Sequence, residues 1–228
     1  MKDNILFITP HPDDMALTSS GTAFILKENF NIIVVCMTKG QKYSPNLPAD
    51  ISMDKRAAIR ENEELTANSM LNATTIFFDA MDGEVYADRA SCEKMAQIIC
   101  NYQPKAVFAP WPVDWHPDHR ATSNIAQRAH LLAESDAAFY YYEESGSTNF
   151  HPDITVDITA VFADKMRMVS AHQTQPLQQR LNDWTHVRCR IRGAEVAVPY
   201  AESFKRYRPL IAGQSDFLLT ELAKITAK

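Results

Sequence analysis

Two short strings of histidines and carboxylates stand out in this sequence, His11-Pro12-Asp13-Asp14 and His116-Pro117-Asp118-His119. A catalytic zinc site takes three protein ligands and keeps a further position open for water. Together the two strings offer the ligands of one such mononuclear site and two more titratable groups beside it. Either string alone would more often be a turn whose Asp caps a helix. Their joint occurrence predicts a hydrolytic metalloenzyme.

The residue types divide the two strings by role. We predict that His11, Asp14 and His119 hold the metal, because they supply two imidazoles and one carboxylate. Zinc lowers the pKa of bound water toward about 7 and polarises a substrate carbonyl. Asp13 could then accept the proton of that water as general base. A protonated His116 could stabilise the developing oxyanion or protonate the leaving amine.

Three neighbours of the second string are candidates for supporting roles. Asp114 could orient His116 or His119 from behind, as outer carboxylates do in metal sites. Trp111 and Trp115 flank the string, and their faces could stack on a sugar ring. Ordinary packing of the loop explains the two tryptophans equally well, so substrate binding is one of two interpretations.

The elements that must position these residues alternate along the first two thirds of the chain. Predicted strands cover Asn4–Thr9, Ile32–Thr38, Thr74–Phe78, Ala106–Ala109 and Ala137–Tyr142, and predicted helices cover Met15–Glu28, Asp54–Leu71, Arg89–Cys100 and His119–Ala133. This alternation predicts βαβ units and a mainly parallel sheet covered by helices on both faces. Both strings follow predicted strands. Sites in open α/β sheets lie at the carboxyl ends of the strands, so the two strings can meet in space.

The last third of the chain is less regular. Residues Ile154–Ile158 alternate like a strand, and Thr159–Ala171 has a helical pattern. The pattern places the segment from Gln178 to Arg208 only loosely. We predict a single α/β domain over residues 1–228, since this length suits one large domain with an ample core.

Composition excludes several classes of protein. Hydrophobic residues make up 46% of the chain and charged residues 22%, as in ordinary globular proteins, and the net charge of −5 argues against binding nucleic acid. Four cysteines without Cys-x-x-Cys spacing favour a reducing compartment. The apolar run Ile5–Ile8 is too short for a signal peptide or a membrane span, so we predict a cytoplasmic protein. A homo-oligomer is compatible with the sequence, which carries no motif that specifies one.

The order of motifs along the chain resembles the PIG-L/LmbE-like family of zinc-dependent N-deacetylases. The resemblance covers most of the chain. Its motifs are Ile5–Asp14, Ile59–Glu63, Asp82-Gly83, Asp114–His119, Val156–Thr159, Lys165, Ala171–Gln175 and Tyr200–Phe204. Where the family commonly has Glu after His-Pro-Asp-Asp, this chain has Met15.

The resemblance implies a Rossmann-like three-layer fold and a small-molecule substrate. The reaction would remove an acetyl or similar acyl group from the amide nitrogen of an N-acetylglucosamine-type sugar or conjugate. It also implies the roles predicted above from the residue types. His11, Asp14 and His119 would be the metal ligands, and Asp13 and His116 would be the acid–base pair. The cofactor would be Zn²⁺, although these ligands can also hold Fe²⁺. Arg60 becomes a candidate substrate-binding residue, and an ion pair with Glu63 or Glu64 on the helix surface is the alternative.

Other classes of protein fit the sequence less well. Non-heme Fe(II) oxygenases also use two histidines and one carboxylate, but usually on an all-β scaffold. A nucleotide-binding Rossmann protein would need a Gly-x-Gly-x-x-Gly loop after the first strand, and this chain lacks it. A metal-binding protein without activity would not need Asp13 and His116. The oxygenase remains the alternative to amide hydrolysis.

Overall fold

One mixed sheet of seven strands organises the described part of the chain. The computed structural model describes residues 2–177 and 179–207, together with Phe217, Thr220 and Glu221. The strands are β1 Asn4–Thr9, β2 Asn31–Thr38, β3 Thr74–Ala80, β4 Ala106–Pro110, β5 Ala138–Tyr142, β6 Ile154–Asp157 and β7 Ala201–Arg206. Their order across the sheet is β3-β2-β1-β4-β5-β7-β6. The first five are parallel, and β7 runs antiparallel to both β5 and β6. The prediction of a mainly parallel α/β sheet is confirmed.

Helices cover both faces of this sheet. They are α1 Asp14–Thr18, α2 Ser20–Leu26, α3 Met53–Ser69, α4 Arg89–Tyr102, α5 Pro117–Leu132, α6 Phe162–Ser170 and α7 Val187–Ala194, with a 3₁₀ turn at Thr159–Val161 and a π-helix at Gln179–His186. Helices α4 and α5 pack on one apolar cluster, and the others pack on the cluster of the opposite face. Within the described residues, no helix has both the length and the apolar character needed to cross a membrane.

The central strand β1 explains why the two strings meet. Its side chains alternate between the two apolar clusters, so both of its faces are buried and its sequence is a continuous apolar run. Strand β1 pairs in parallel with β4, with Ile5 opposite Ala106 and Phe7 opposite Phe108. The chain leaves these two strands toward opposite faces. Their carboxyl ends therefore form the switch point at which open α/β sheets place their sites.

The helix predicted over Met15–Glu28 is wrong in one respect, because the chain forms two helices that meet at Ser19. A buried ion pair occupies this break. The ammonium group of Lys165 donates to the carbonyl oxygens of Ala16 and Leu17 and to Glu202. The Glu202 carboxylate in turn accepts backbone N–H groups from the first turn of α2. Both helix ends are thus capped by side chains from outside the segment.

Met15, at the position where the family that the sequence resembles commonly has Glu, belongs to the core. Its side chain is buried in the apolar cluster on the α1 face of the sheet. The neighbouring Asp14 is the first residue of α1 and is buried as well. The first two residues of α1 therefore lie in different environments, Asp14 at the site and Met15 in the apolar core.

Candidate active site

Three side chains from the two strings converge at the end of β1 and β4. His11 lies in the loop after β1, Asp14 begins α1, and His119 lies in the first turn of α5. One ligand atom from each lies within 4.8 Å of the others. The Oδ2 atom of Asp14 is 3.2 Å from Nδ1 of His11 and 3.7 Å from Nε2 of His119. The structure thus brings together the three residues that the sequence predicts as metal ligands.

The far nitrogen of each histidine faces a carboxylate. The Nε2 atom of His11 lies 3.0 Å from Oδ2 of Asp118 and 3.4 Å from Oδ1 of Asp82. The Nδ1 atom of His119 lies 3.5 Å from Oδ1 of Asp114. Outer carboxylates of this kind orient metal-binding imidazoles and select their tautomers. Asp114 therefore lies where the sequence predicts an orienting residue, beside His119.

A second set, His11, His116 and Asp118, also brings its possible ligand atoms within 4.8 Å. Two of its members are already engaged by backbone groups. The Asp118 carboxylate accepts the N–H groups of Gly83 at 2.6 Å and Val85 at 3.2 Å. The Nδ1 atom of His116 accepts the N–H of Asp118 and thereby caps helix α5. The Oδ2 atom of Asp14 also accepts one backbone N–H, that of His11, but it faces ring nitrogens of both His11 and His119. The set that includes Asp14 is therefore the better candidate for the metal.

The charge of the site suits a cation. Five buried carboxylates surround it, Asp13, Asp14, Asp82, Asp114 and Asp118. Burial alone would raise the pKa of Asp14, but the charge of His119 and the contacts with His11 outweigh burial and hold that pKa well below its ordinary value. Burial would lower the pKa of His11, yet its hydrogen bonds to three carboxylates raise it well above the usual value. Buried carboxylates so close together repel one another unless positive charge compensates them, so the donor set fits a divalent metal ion.

Asp13 lies beside this set in an unusual backbone conformation. Its φ of 100° is rare for a residue with a side chain, and such strain persists mainly at functional sites. The N–H of Asp13 donates to Oε2 of Glu64 at 3.1 Å. Its Oδ1 atom accepts from Nη2 of Arg60 at 3.3 Å, whereas Oδ2 accepts no hydrogen bond among the described residues. Burial raises the pKa of Asp13, and the positive charges of Arg180 and Arg60, which lower it, only partly offset this effect. The Oδ2 atom of this buried carboxylate thus has a charged neighbour, Arg180 at 3.1 Å, but no hydrogen-bond donor among the described residues.

Arg60 is buried and bound by the protein on several sides. Its Nη1 atom donates to the carbonyl oxygens of Gly40 and Tyr43, and Nη2 donates to that of Pro12 as well as to Asp13. A Cβ atom at Gly40, whose φ is +60°, would lie 2.0 Å from Nη1. Arg60 therefore pairs with the predicted general base rather than with the glutamates of its own helix.

Helix α3 contributes two glutamates to the neighbourhood of the site. Glu64 is buried, and burial raises its pKa to about 7. Its Oε2 atom lies 3.8 Å from Nε2 of His172, whose pKa is lowered to about 3 by burial. Glu63 accepts both the N–H and the hydroxyl of Thr174. The helix that carries Arg60 is thereby tied to the segment Ala171–Gln175.

The two ring nitrogens of His116 have different roles, because Nδ1 binds a backbone N–H and, within the described part of the chain, Nε2 does not. Its ring lies 4.8 Å from that of His11 and 4.7 Å from that of His119, measured between centroids. Burial lowers the pKa of His116, and the charges of the two other histidines lower it further. Because Nδ1 accepts the N–H of Asp118, the proton of the neutral ring lies on Nε2. His116 is therefore a hydrogen-bond donor without needing a second proton.

The two tryptophans differ in their surroundings. The Nε1 atom of Trp111 donates to the carbonyl of Thr148, and its ring packs edgewise against Tyr141 and Phe150. Trp115 is 69% exposed, and its ring centroid lies 5.3 Å from that of His116. Of these two tryptophans, Trp115 is the one that combines an exposed ring with a position beside the site.

Two further charged residues at the site carry no signal in the sequence. Arg180, on the π-helix, places Nε 3.1 Å from Oδ2 of Asp13. Glu144 follows β5 and is buried, and burial raises its pKa well above the ordinary value. Its Oε1 atom has no hydrogen-bond partner among the described residues. Neither lies in a string of ligand types, so only the fold brings them to the site.

Asp14→Ala is expected to weaken zinc binding by more than about 100-fold, because it removes the carboxylate shared by both histidines. Titration calorimetry with the metal-free protein, together with elemental analysis, measures the affinity and the stoichiometry. Asp50→Ala removes an exposed carboxylate from a loop and serves as the control. Wild-type affinity in Asp14→Ala would show that the metal lies elsewhere.

Comparisons with known proteins identify the family of this chain. The model of the PIG-L family, described as GlcNAc-PI de-N-acetylase, matches residues 6–130. Diacetylchitobiose deacetylase of Thermococcus kodakarensis is 27% identical over 193 residues, which are 75% of this chain and 69% of the relative. A 4-oxalmesaconate hydratase of Pseudomonas putida is 24% identical over 178 residues, 70% of this chain and 69% of the relative.

A solved structure shows the same fold over nearly the whole chain. The N,N′-diacetylchitobiose deacetylase from Pyrococcus horikoshii superimposes with a TM-score of 0.82 at 25% identity, covering 96% of this chain and 88% of that one. The family match includes both strings and spans more than half of the sequence. The chain therefore belongs to the PIG-L (GlcNAc-PI de-N-acetylase) family, as its motifs predict.

Proposed function

We propose that this hydrolase of the PIG-L family is a metal-dependent N-deacetylase. It removes an acetyl or similar acyl group from the amide nitrogen of an N-acetylglucosamine-type sugar or conjugate. The observation that carries the proposal is the position of Asp13. Asp13 is buried, precedes Asp14 of the candidate metal set in the chain, and has an Oδ2 atom that accepts no hydrogen bond among the described residues.

His11, Asp14 and His119 would hold the metal, with Zn²⁺ the first candidate and Fe²⁺ the second. A divalent cation supplies Lewis acidity there, which activates water and polarises the substrate carbonyl. Asp13 accepts the proton of the attacking water on Oδ2, while Arg60 fixes Oδ1. The carboxylate then returns this proton to the leaving nitrogen. A C–O bond forms, the C–N bond breaks, and the products are a carboxylic acid and an amine.

His116 acts on the substrate oxygen. Its Nε2–H donates to the negative charge that develops on the carbonyl oxygen, and such donors contribute most when they are fixed in advance. The backbone N–H of Asp118 fixes the ring through Nδ1, and Asp114 fixes the backbone of His116. Burial lowers the pKa of His116 and thus favours its neutral form, so we assign the proton of the leaving amine to Asp13 rather than to a protonated His116.

The substrate class follows from the relatives and from the edge of the site. The Thermococcus and Pyrococcus relatives are named for deacetylation of diacetylchitobiose, an N-acetylated sugar. The exposed ring of Trp115 offers a stacking surface for a sugar next to His116. No finding favours the Fe(II) oxygenase alternative, and the fold is a mainly parallel α/β sheet rather than an all-β scaffold. A cytoplasmic location is part of the proposal.

Amide hydrolysis is expected with the purified zinc-loaded protein and a panel of N-acetylated sugars, among them N-acetylglucosamine and its conjugates. Release of the primary amine and of acetate in equal amounts measures the reaction, and the metal-free protein is the control. Water addition to an unsaturated carboxylic acid is assayed in parallel, since the Pseudomonas relative is named a hydratase. Hydration without amine release would contradict the proposal.

A further inference from the structure

The two oxygens of the Asp13 carboxylate face arginines from different parts of the chain. Arg60 on helix α3 lies 3.3 Å from Oδ1, and Arg180 on the π-helix Gln179–His186 lies 3.1 Å from Oδ2. The Asp13 side chain is only 2% exposed, so both contacts lie in a buried environment where charges act strongly. What Arg180 does there depends on Asp13 being the general base, and the inference therefore rests on the proposed function.

The two arginines approach the carboxylate differently. Arg60 makes a hydrogen bond and is itself locked by backbone carbonyl groups. The Nε–H of Arg180 is not aligned with Oδ2, so that contact is an ion pair without a hydrogen bond. Arg180 thus contributes its charge at the oxygen that must take up a proton, and it leaves the lone pair of that oxygen free.

Arg180 is itself anchored on two sides. Its Nη2 atom donates to Oε1 of Gln175 at 3.1 Å, and its guanidinium lies 5.3 Å from the centre of the Trp184 ring. The side chain is 15% exposed, so it lies largely inside the protein. The π-helical geometry places both Arg180 and Trp184 on this side, and such helices occur frequently at functional sites.

We propose that Arg180 is a positioning residue that fixes the orientation of the Asp13 carboxylate through its contact with Oδ2. The terminal torsion of an aspartate is broad, so a hydrogen bond at Oδ1 alone leaves the plane of the carboxylate loosely defined. A fixed positive charge at Oδ2 narrows the range of orientations that the carboxylate plane can adopt. A hydrogen bond in the same place would occupy the lone pair that accepts the proton.

The test compares Arg180→Met with Arg192→Met. Arg192 is the matched control because it is 13% exposed, pairs with Glu143 and lies 5.7 Å from the ring centre of Phe150. In the zinc-loaded protein Arg180→Met is expected to lower kcat by about 100-fold, with KM and metal content close to wild type. Arg192→Met is expected to retain the wild-type kcat.

Rescue separates positioning from folding. Methylguanidinium added to Arg180→Ala is expected to restore part of the lost kcat, whereas the same concentration of tetramethylammonium is not. Arg180→Lys is expected to lie between wild type and Arg180→Met. The two additives are compared within one folded sample of Arg180→Ala, and the metal content and melting temperature of every variant are recorded.

Three other results would contradict either the role of Arg180 or the proposed function. If Arg180→Met raises KM and keeps kcat, Arg180 binds substrate and does not position Asp13. An unchanged kcat in an otherwise active enzyme overturns the inference alone. A wild-type protein that releases no amine from any amide overturns the proposed function and the inference with it.

Discussion

Asp13→Asn is expected to reduce kcat by about 10³-fold or more while the protein still binds one zinc ion per chain. The carboxylate is the proposed proton acceptor, and positioned general bases contribute about 10²–10⁴-fold. Asn is the informative replacement because Asp13 has a φ of 100°, a region that Asn tolerates far better than Ala does. The variant therefore removes the basic oxygen with little change in the backbone.

Amine release under saturating substrate gives kcat, and elemental analysis gives the metal content of the same sample. Asp13→Ala is expected to be inactive as well, but with an added loss of stability from backbone strain. Asp14→Asn is the matched comparison on the neighbouring residue, since it should lose metal and activity together. Wild-type turnover in Asp13→Asn would rule out Asp13 as the general base.

The main features of the site could be predicted from the sequence because they depend on short-range patterns. Strand β1 is a continuous apolar run, which indicates a strand buried on both faces, and the string His11–Asp14 follows it at once. Pro117 at the start of α5 and Asp118 in its first turn are ordinary signals of a helix beginning. Parallel strands then bring their carboxyl ends to one edge, so the two strings had to lie close together.

The rest of the site depends on contacts that no local pattern encodes. Glu64 reaches the N–H of Asp13 from a long polar helix on which glutamates are ordinary surface residues. Arg180 lies in the segment that the sequence places only loosely, and a π-helix has no reliable periodic signature. Strand β7 was missed in the same segment, because its short mixed pattern becomes a strand only through pairing with β5 and β6.

The break between α1 and α2 also depends on residues that are distant in the sequence. The sequence Asp14–Leu26 has no Pro, and its single Gly21 lies beyond the break, so a continuous helix was the reasonable expectation. What stabilises the break is the buried Lys165–Glu202 pair, which supplies partners for carbonyl and N–H groups that a continuous helix would pair internally. Short α1 in turn presents Asp14 to the site and Met15 to the core.

Lys165→Met is therefore expected to destabilise the protein by about 3–5 kcal/mol, the cost of leaving a buried charge without its partner. The Lys165 side chain is 0% exposed and its Nζ atom has three acceptors, including Glu202 at 2.8 Å. Met has a similar length and no charge, so the loss reports on the interactions rather than on a cavity. Urea unfolding of the metal-free protein measures the free energy of unfolding.

Two further variants identify the source of this loss. Lys205→Met breaks a partly exposed pair with Asp153 and should cost no more than about 1 kcal/mol. Lys165→Met combined with Glu202→Gln should be less destabilising than the sum of the two single variants, since no unpaired buried charge remains. The carbonyl groups of Ala16 and Leu17 still lack their donor in the double variant. A Lys165→Met protein as stable as Lys205→Met would mean that the helix break does not depend on the buried pair.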